Sequence, residues 1–230
     1  MKEFSLELIP FSIAIFFSTI GFSGYYFFNE RLHKKFGEGS IRQVITQRLN
    51  GFLILGVLPL ALLLYFNSGE EIPFLSGSFQ TSSILWLIGI SILLIAVNYL
   101  HKKSKSNLLL YPQIKESNWN PSLLLLSAVT WIAYLLAYEF LFRGLLLSSS
   151  LELMGFWPAI IINTGIYSLV HIHKGIVEGL GSVVMGLILC LLVIQTGSFW
   201  IAFFIHIVLA LSNEWFSISA QTNMQFNLRK

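Results

Sequence analysis

Residues 122–147 read SLLLLSAVTWIAYLLAYEFLFRGLLL. An α-helix needs about 20 predominantly apolar residues to cross a bilayer, and this stretch exceeds that. Its two charges, Glu139 and Arg143, are four residues apart, so a helix places them on one face where they can pair. The rest of the chain follows the same pattern. Of 230 residues, 55% are apolar and only 11% are charged, against about 25% charged in an average soluble protein. Mean hydropathy is +0.74. That balance excludes a soluble enzyme, a disulfide scaffold, a disordered chain and a nucleic-acid binder. It predicts an all-α, polytopic integral membrane protein whose solvent is the lipid bilayer.

Working outward from 122–147, six more stretches are apolar enough to span: 6–28, 50–66, 84–100, 156–173, 176–195 and 198–217. About seven transmembrane helices are therefore expected. They divide into a scaffold over 1–121, a helical core over 122–217 and a polar tail over 218–230 that should fray. The first stretch is too long for a signal-peptide core and ends in Tyr25, Tyr26, Phe27 and Phe28, so it reads as a retained span. Residues 36–48 read as a short amphipathic connector at the surface. Lys and Arg alternate between loops. Arg31, Lys34, Lys35, Arg42 and Arg48 follow the first span, and Lys102, Lys103, Lys105 and Lys115 follow the third. The second loop has only Glu70 and Glu71, the 148–155 loop has no Lys or Arg, and the chain ends Arg229-Lys230. The positive-inside rule then puts the N-terminus outside and the C-terminus in the cytoplasm, with Lys2 the one charge against it.

Ionisable groups inside a span cost about 2.5–3.5 kcal/mol each on insertion scales, so they are candidates for function. They concentrate in the second half: Glu139, Arg143, His171, His173, Glu178, His206 and Glu214. The chain has no Asp, which excludes a paired-aspartate protease, and its one cysteine, Cys190, reads as packing. Histidines and glutamates without a placed Ser or Cys suit activation of water, a carboxylate taking the proton while imidazoles orient the oxygen. The same groups can ligate a divalent metal such as zinc, with His171, His206 and Glu139 as the ligand set. Gly179-Leu180-Gly181-Ser182 resembles a serine-protease turn only superficially, and no His-Glu-x-x-His is present.

Three segments carry a family resemblance. Tyr138-Glu139-Phe140-Leu141-Phe142-Arg143 resembles the Glu-Glu-x-x-x-Arg motif of the CPBP family, the CAAX-protease-like and bacteriocin-processing (Abi) intramembrane proteases. Tyr167 to His171 resembles its second motif, and Thr196 to Trp200 followed by His206 resembles the approach to its last histidine. Tyr138 stands at the family's first Glu, and Ala210 at its Asn one turn after the last His.

The resemblance implies an intramembrane endopeptidase, in a bacterial inner membrane, acting on a peptide or membrane-protein substrate. Glu139 or Glu178 would be the base, and His171 and His206 would hold water and oxyanion. Arg143, Tyr138, Asn213, His173 and Glu214 would support them. A second expectation is an inactive descendant serving as membrane scaffold, chaperone or immunity partner, and a third is a small transporter. A helical hairpin turning near Ser150 would set Glu139 and His171 about 15 Å apart in depth. A shared site therefore requires a break within 144–155.

Overall fold

The computed structural model describes residues 2–66 and 81–227, with side chains over 8–66 and 83–227. The side chains of Lys2, Glu70, Glu71, Arg229 and Lys230, which entered the charge reading, lie outside the described residues. The protein is a bundle of long helices. Helix α1 (Lys2–Phe16) continues through a π-helical segment, Phe17–Gly21, into α2 (Phe22–Phe36). Helix α3 (Ile41–Phe52) passes through a second such segment, Leu53–Val57, into α4 (Leu58–Phe66). Then come α5 (Thr81–His101), α6 (Lys105–Leu110) and the two-residue β1 (Asn118–Trp119). Helix α7 (Pro121–Glu139) runs through a third π segment, Phe140–Leu147, into α8 (Ser148–Met154). The chain ends with α9 (Phe156–Leu169), α10 (Ile176–Thr196), α11 (Trp200–Ala220) and β2 (Gln225–Phe226).

Six of these rods are long and apolar enough to cross a membrane among the described residues. The expected span over 156–173 accounts for the difference from seven. Its helix, α9, has 14 residues, about 21 Å long, which is short of a hydrocarbon layer of about 30 Å. It still reverses the chain between α8 and α10, so the direction alternates as seven passes would.

The connector expected over 36–48 is instead the start of a rod. Gly37 and Gly39 make the turn at positive φ, and Ser40 caps α3 by accepting from the Gln43 amide at 3.3 Å. The helix then runs unbroken in direction from Ile41 to Phe66. The tail does not simply fray. Helix α11 extends to Ala220, and β2 pairs in parallel with β1, Asn118 opposite Gln225 and Trp119 opposite Phe226.

The break near 144–155 takes two forms. The π segment widens the helix after Glu139, and three consecutive serines donate to carbonyls in and beside it: Ser148 to Gly144 (2.6 Å), Ser149 to Leu145 (2.7 Å) and Ser150 to Leu146 (2.6 Å). In lipid, such carbonyls have no water to bond, so hydroxyls four residues on complete them. The turn itself comes at Gly155, where φ is 79° and ψ −175°, a backbone state essentially confined to glycine. Moving the turn from Ser150 to Gly155 leaves Glu139 and His171 each sixteen residues from it, so the depth offset disappears.

The N-terminal rods complete the core around this region. Ile13, Ala14, Phe17, Leu55 and Leu63 pack in one buried cluster with Tyr138, Leu141, Phe142 and Tyr167. The backbone at Gly56 comes so close to α7 that an added Cβ would lie 2.6 Å from the Cβ of Ala137.

Candidate active site

Glu139 ends α7 where the π segment begins, and Arg143 lies four residues on within that segment. Both are fully buried, at 0% exposure. Arg143 Nη1 lies 3.2 Å from Glu139 Oε1 and 3.1 Å from Oε2, and its guanidinium stacks 4.2 Å above the Tyr167 ring. Neither charge meets bulk water, so each depends on the other; separating such a pair costs about 3–5 kcal/mol.

Helix α11 adds the third member. His206 Nδ1 lies 2.5 Å from Glu139 Oε1. A carboxylate oxygen paired to Arg accepts only, so this contact places a His206 proton on Nδ1; in the neutral form of the ring, Nε2 is then the acceptor. His171, after α9, uses its Nδ1 on the Tyr167 carbonyl at 2.8 Å. The Tyr138 ring touches both imidazoles edge-on, with centroids 6.2 Å from His171 and 5.9 Å from His206. Tyr138 also stacks on Phe142 at 4.6 Å and is itself 2% exposed.

The structure thus brings Glu139, Arg143, His206, Tyr138 and His171 into one cluster. The remaining expected residues stand apart from it. Glu178 lies in the first turn of α10, beyond the Gly175 break, and no bond joins it to Glu139, His171 or His206 among the described residues. His173 is exposed and meets Tyr26 of α2, centroids 5.3 Å apart. Glu214, two turns beyond His206, belongs to a separate buried network. Its Oε1 accepts from Arg48 Nη2 at 3.3 Å and from Ser127 Oγ at 3.4 Å, and its Oε2 accepts from the Gln113 amide at 3.2 Å. Asn213 is half-buried beside Glu214 and does not bond to the cluster among the described contacts. Ala210 packs with Tyr111, Trp131, Leu135 and Phe203. Ser182 donates within its own helix to the Gly179 carbonyl at 2.6 Å.

Three contributors escaped the sequence reading. Arg48, counted there as a loop charge, is buried, donates to Gln113, Ser127 and Thr130, and lies 4.3 Å over Trp131. Its position just before an apolar run was the available signal. Asn163 donates to the Phe142 carbonyl at 2.5 Å inside the π segment and accepts from the Cys190 thiol at 3.1 Å. An amide amid isoleucines was visible, but its partner was not. Tyr167 was read as a motif aromatic, and no spacing rule put it under Arg143.

A divalent metal does not fit this donor set. The carboxylate expected to ligate it is committed to a guanidinium and to an imidazole N–H, and no group of three or more His, Cys, Asp or Glu is placed around a common point among the described residues.

The family model described as type II CAAX prenyl endopeptidase Rce1-like matches residues 118–212, the stretch from β1 into α11 that contains the whole cluster. No curated protein and no solved structure matches the chain. Over this segment, which is less than half of its length, the chain is similar to the Rce1-like, type II CAAX prenyl endopeptidases, consistent with the CPBP family that its three motifs resemble.

Proposed function

We propose that this multi-pass membrane protein is a CAAX-protease-like endopeptidase, hydrolysing a peptide bond in or beside the bilayer. The observation that carries the reading is the buried Glu139–His206 contact at 2.5 Å, backed by Arg143, inside the matched segment. Its chemistry is that of an imidazole base oriented by a carboxylate. Glu139 is fully buried and its Oε1 meets both Arg143 and His206, so it suits holding His206 better than meeting water. His206 Nε2 takes a proton as the water oxygen attacks the carbonyl carbon. The proton then passes to the departing amine nitrogen as the C–N bond breaks. His171 flanks the same aromatic wall and orients the oxygen. The setting we propose is a bacterial inner membrane, N-terminus outside and C-terminus cytoplasmic, in keeping with the loop charges.

The test is turnover of fluorogenic peptides, with and without a C-terminal prenylcysteine, by protein reconstituted in lipid vesicles. His206→Ala and Glu139→Gln should each lower kcat by about 10²- to 10⁴-fold, the range a positioned base contributes. Equal turnover in wild type and His206→Ala would sink the proposal.

A second reading, a non-catalytic scaffold, is favoured by Tyr138 and Ala210, which stand where the family pattern has an acid and an amide. An inert wild type that gains activity with Tyr138→Glu would decide for it.

A further inference from the structure

Asn163 of α9 is fully buried, one turn after Ala159 and Ile160, which pack in an apolar cluster with Leu147, Leu189 and Cys190. An amide in such a place is costly unless it is hydrogen-bonded, so a Leu or Val would be the expected choice there. Both halves of this amide are bonded. Nδ2 donates to the Phe142 carbonyl at 2.5 Å, and Oδ1 accepts from the Cys190 thiol at 3.1 Å. A backbone carbonyl only accepts, so the amide nitrogen must face Phe142, and the oxygen is left for the thiol proton.

The Phe142 carbonyl belongs to the peptide unit whose nitrogen is that of Arg143, so Asn163 holds the plane from which the arginine side chain departs. Arg143 depends on that hold. Its Nη1 meets Glu139 Oε1 at 3.2 Å, whereas its Nε and Nη2 are buried without a hydrogen-bond partner. A guanidinium gripped at one nitrogen is not aimed by the two-pronged bonding that usually fixes an arginine. Its direction rests on the backbone beneath it, and that backbone is a π segment, an irregular helical form common at functional sites. Ser148, Ser149 and Ser150 complete the later carbonyls of the segment from within the same rod. Asn163 reaches the one beside Arg143 from a second helix.

We infer that Asn163 is a positioning residue, which sets Arg143 and, through Arg143 and Glu139, the orientation of His206. No bond joins Asn163 to Glu139 or His206 among the described contacts, so its effect passes through Arg143. Cys190, which fixes the amide, is then the part α10 plays in a cluster to which it gives no other member. The hold on Arg143 follows from the hydrogen bonds; that the geometry serves hydrolysis rests on the peptidase reading above.

The chain has one cysteine, so its S–H stretching band in the infrared belongs to Cys190 alone. In wild-type protein reconstituted in lipid, the band should fall below that of a free thiol, and in Asn163→Ala it should move back towards it. The His206 Nδ1 proton reads the other end, by NMR of ¹⁵N-histidine-labelled protein, assigned by its absence from His206→Ala. Asn163→Ala should shift this proton upfield as the contact with Glu139 loosens. It should also lower kcat by up to about 10²-fold, the cost of roughly 1 Å of misplacement, with KM unchanged. Asn163→Leu, which refills the volume with apolar atoms, should melt later than Asn163→Ala and still restore neither the proton nor kcat. A residue that merely packs would change the melt and leave the His206 proton of the folded protein where it was. A proton identical in wild type and both variants would therefore overturn the inference. So would a free-thiol band in the wild type, even where no variant folds. A shifted proton in a protein that cleaves no peptide would keep the positioning role and remove the peptidase reading.

Discussion

Glu139 and Arg143 are costly residues to place in a bilayer, and their cost is what makes them informative. Each is fully buried, so neither can lose its partner without leaving an uncompensated charge. Arg143→Ala should therefore destabilise the protein by about 3–5 kcal/mol, seen as lower folded yield and an earlier thermal transition in detergent. The double variant Glu139→Gln/Arg143→Met should recover most of that stability without any activity, because no buried charge is left unpaired. If the single and double variants melt alike, the pair is solvated and the cluster is not the buried unit described. The spacing of four made this pair legible in the sequence. The partnership with His206 was not, because 67 residues separate it from Glu139 and nothing local encodes which helix α11 will face.

The elements were legible in kind but less so in detail. Apolar runs gave the rods, and loop charges gave their boundaries to within several residues. The π segments were invisible, because the same Leu and Phe residues suit an ordinary helix; only the run Ser148–Ser150 hinted that backbone carbonyls there needed hydroxyl partners. The position of the turn decides whether Glu139 and His171 share a depth, and Gly155 decides the turn. A substitution there meets no neighbouring atom, so its penalty is purely conformational. Gly155→Ala should cost about 1–3 kcal/mol, the range for a residue held in a disallowed backbone state. Gly165→Ala offers the control: that glycine lies inside α9, also with open space at its Cβ, and alanine should stabilise by about 0.5–1 kcal/mol. Thermal melts of the two variants should move in opposite directions. A shift of the same sign in both would mean that Gly155 does not need its positive φ.

At the scale of the whole molecule, the expected division into a scaffold and a site-bearing core meets a contact that crosses it. Arg48 of α3 reaches Glu214 of α11 and the 127–130 turn of α7, and Phe17 and Leu55 pack with Tyr138 and Phe142. Burial of Arg48 also removes one charge from the first basic loop, which leaves Arg31, Lys34, Lys35 and Arg42. Of these, Lys34 and Lys35 sit in the last turn of α2, where cations suit the helix dipole as well as the cytoplasmic face that the positive-inside rule expects there. The bias therefore survives: four basic residues there, and Lys102, Lys103 and Lys105 after α5, against no Lys or Arg across 148–155. The short α9 does not disturb it, since the Gly155 turn and the Lys-bearing ends lie at opposite ends of the α7–α8 rod. Single cysteines at Lys35, Lys103 and Trp157, all exposed, test this orientation in a Cys190→Ser background. Serine at 190 keeps a donor for the Asn163 carbonyl oxygen that the thiol now meets at 3.1 Å, so the background should fold. A membrane-impermeant maleimide added to intact cells should label position 157 alone, and positions 35 and 103 only after permeabilisation. Labelling of position 35 in sealed cells would invert the topology and, with it, the side of the membrane from which a substrate reaches His171 and His206.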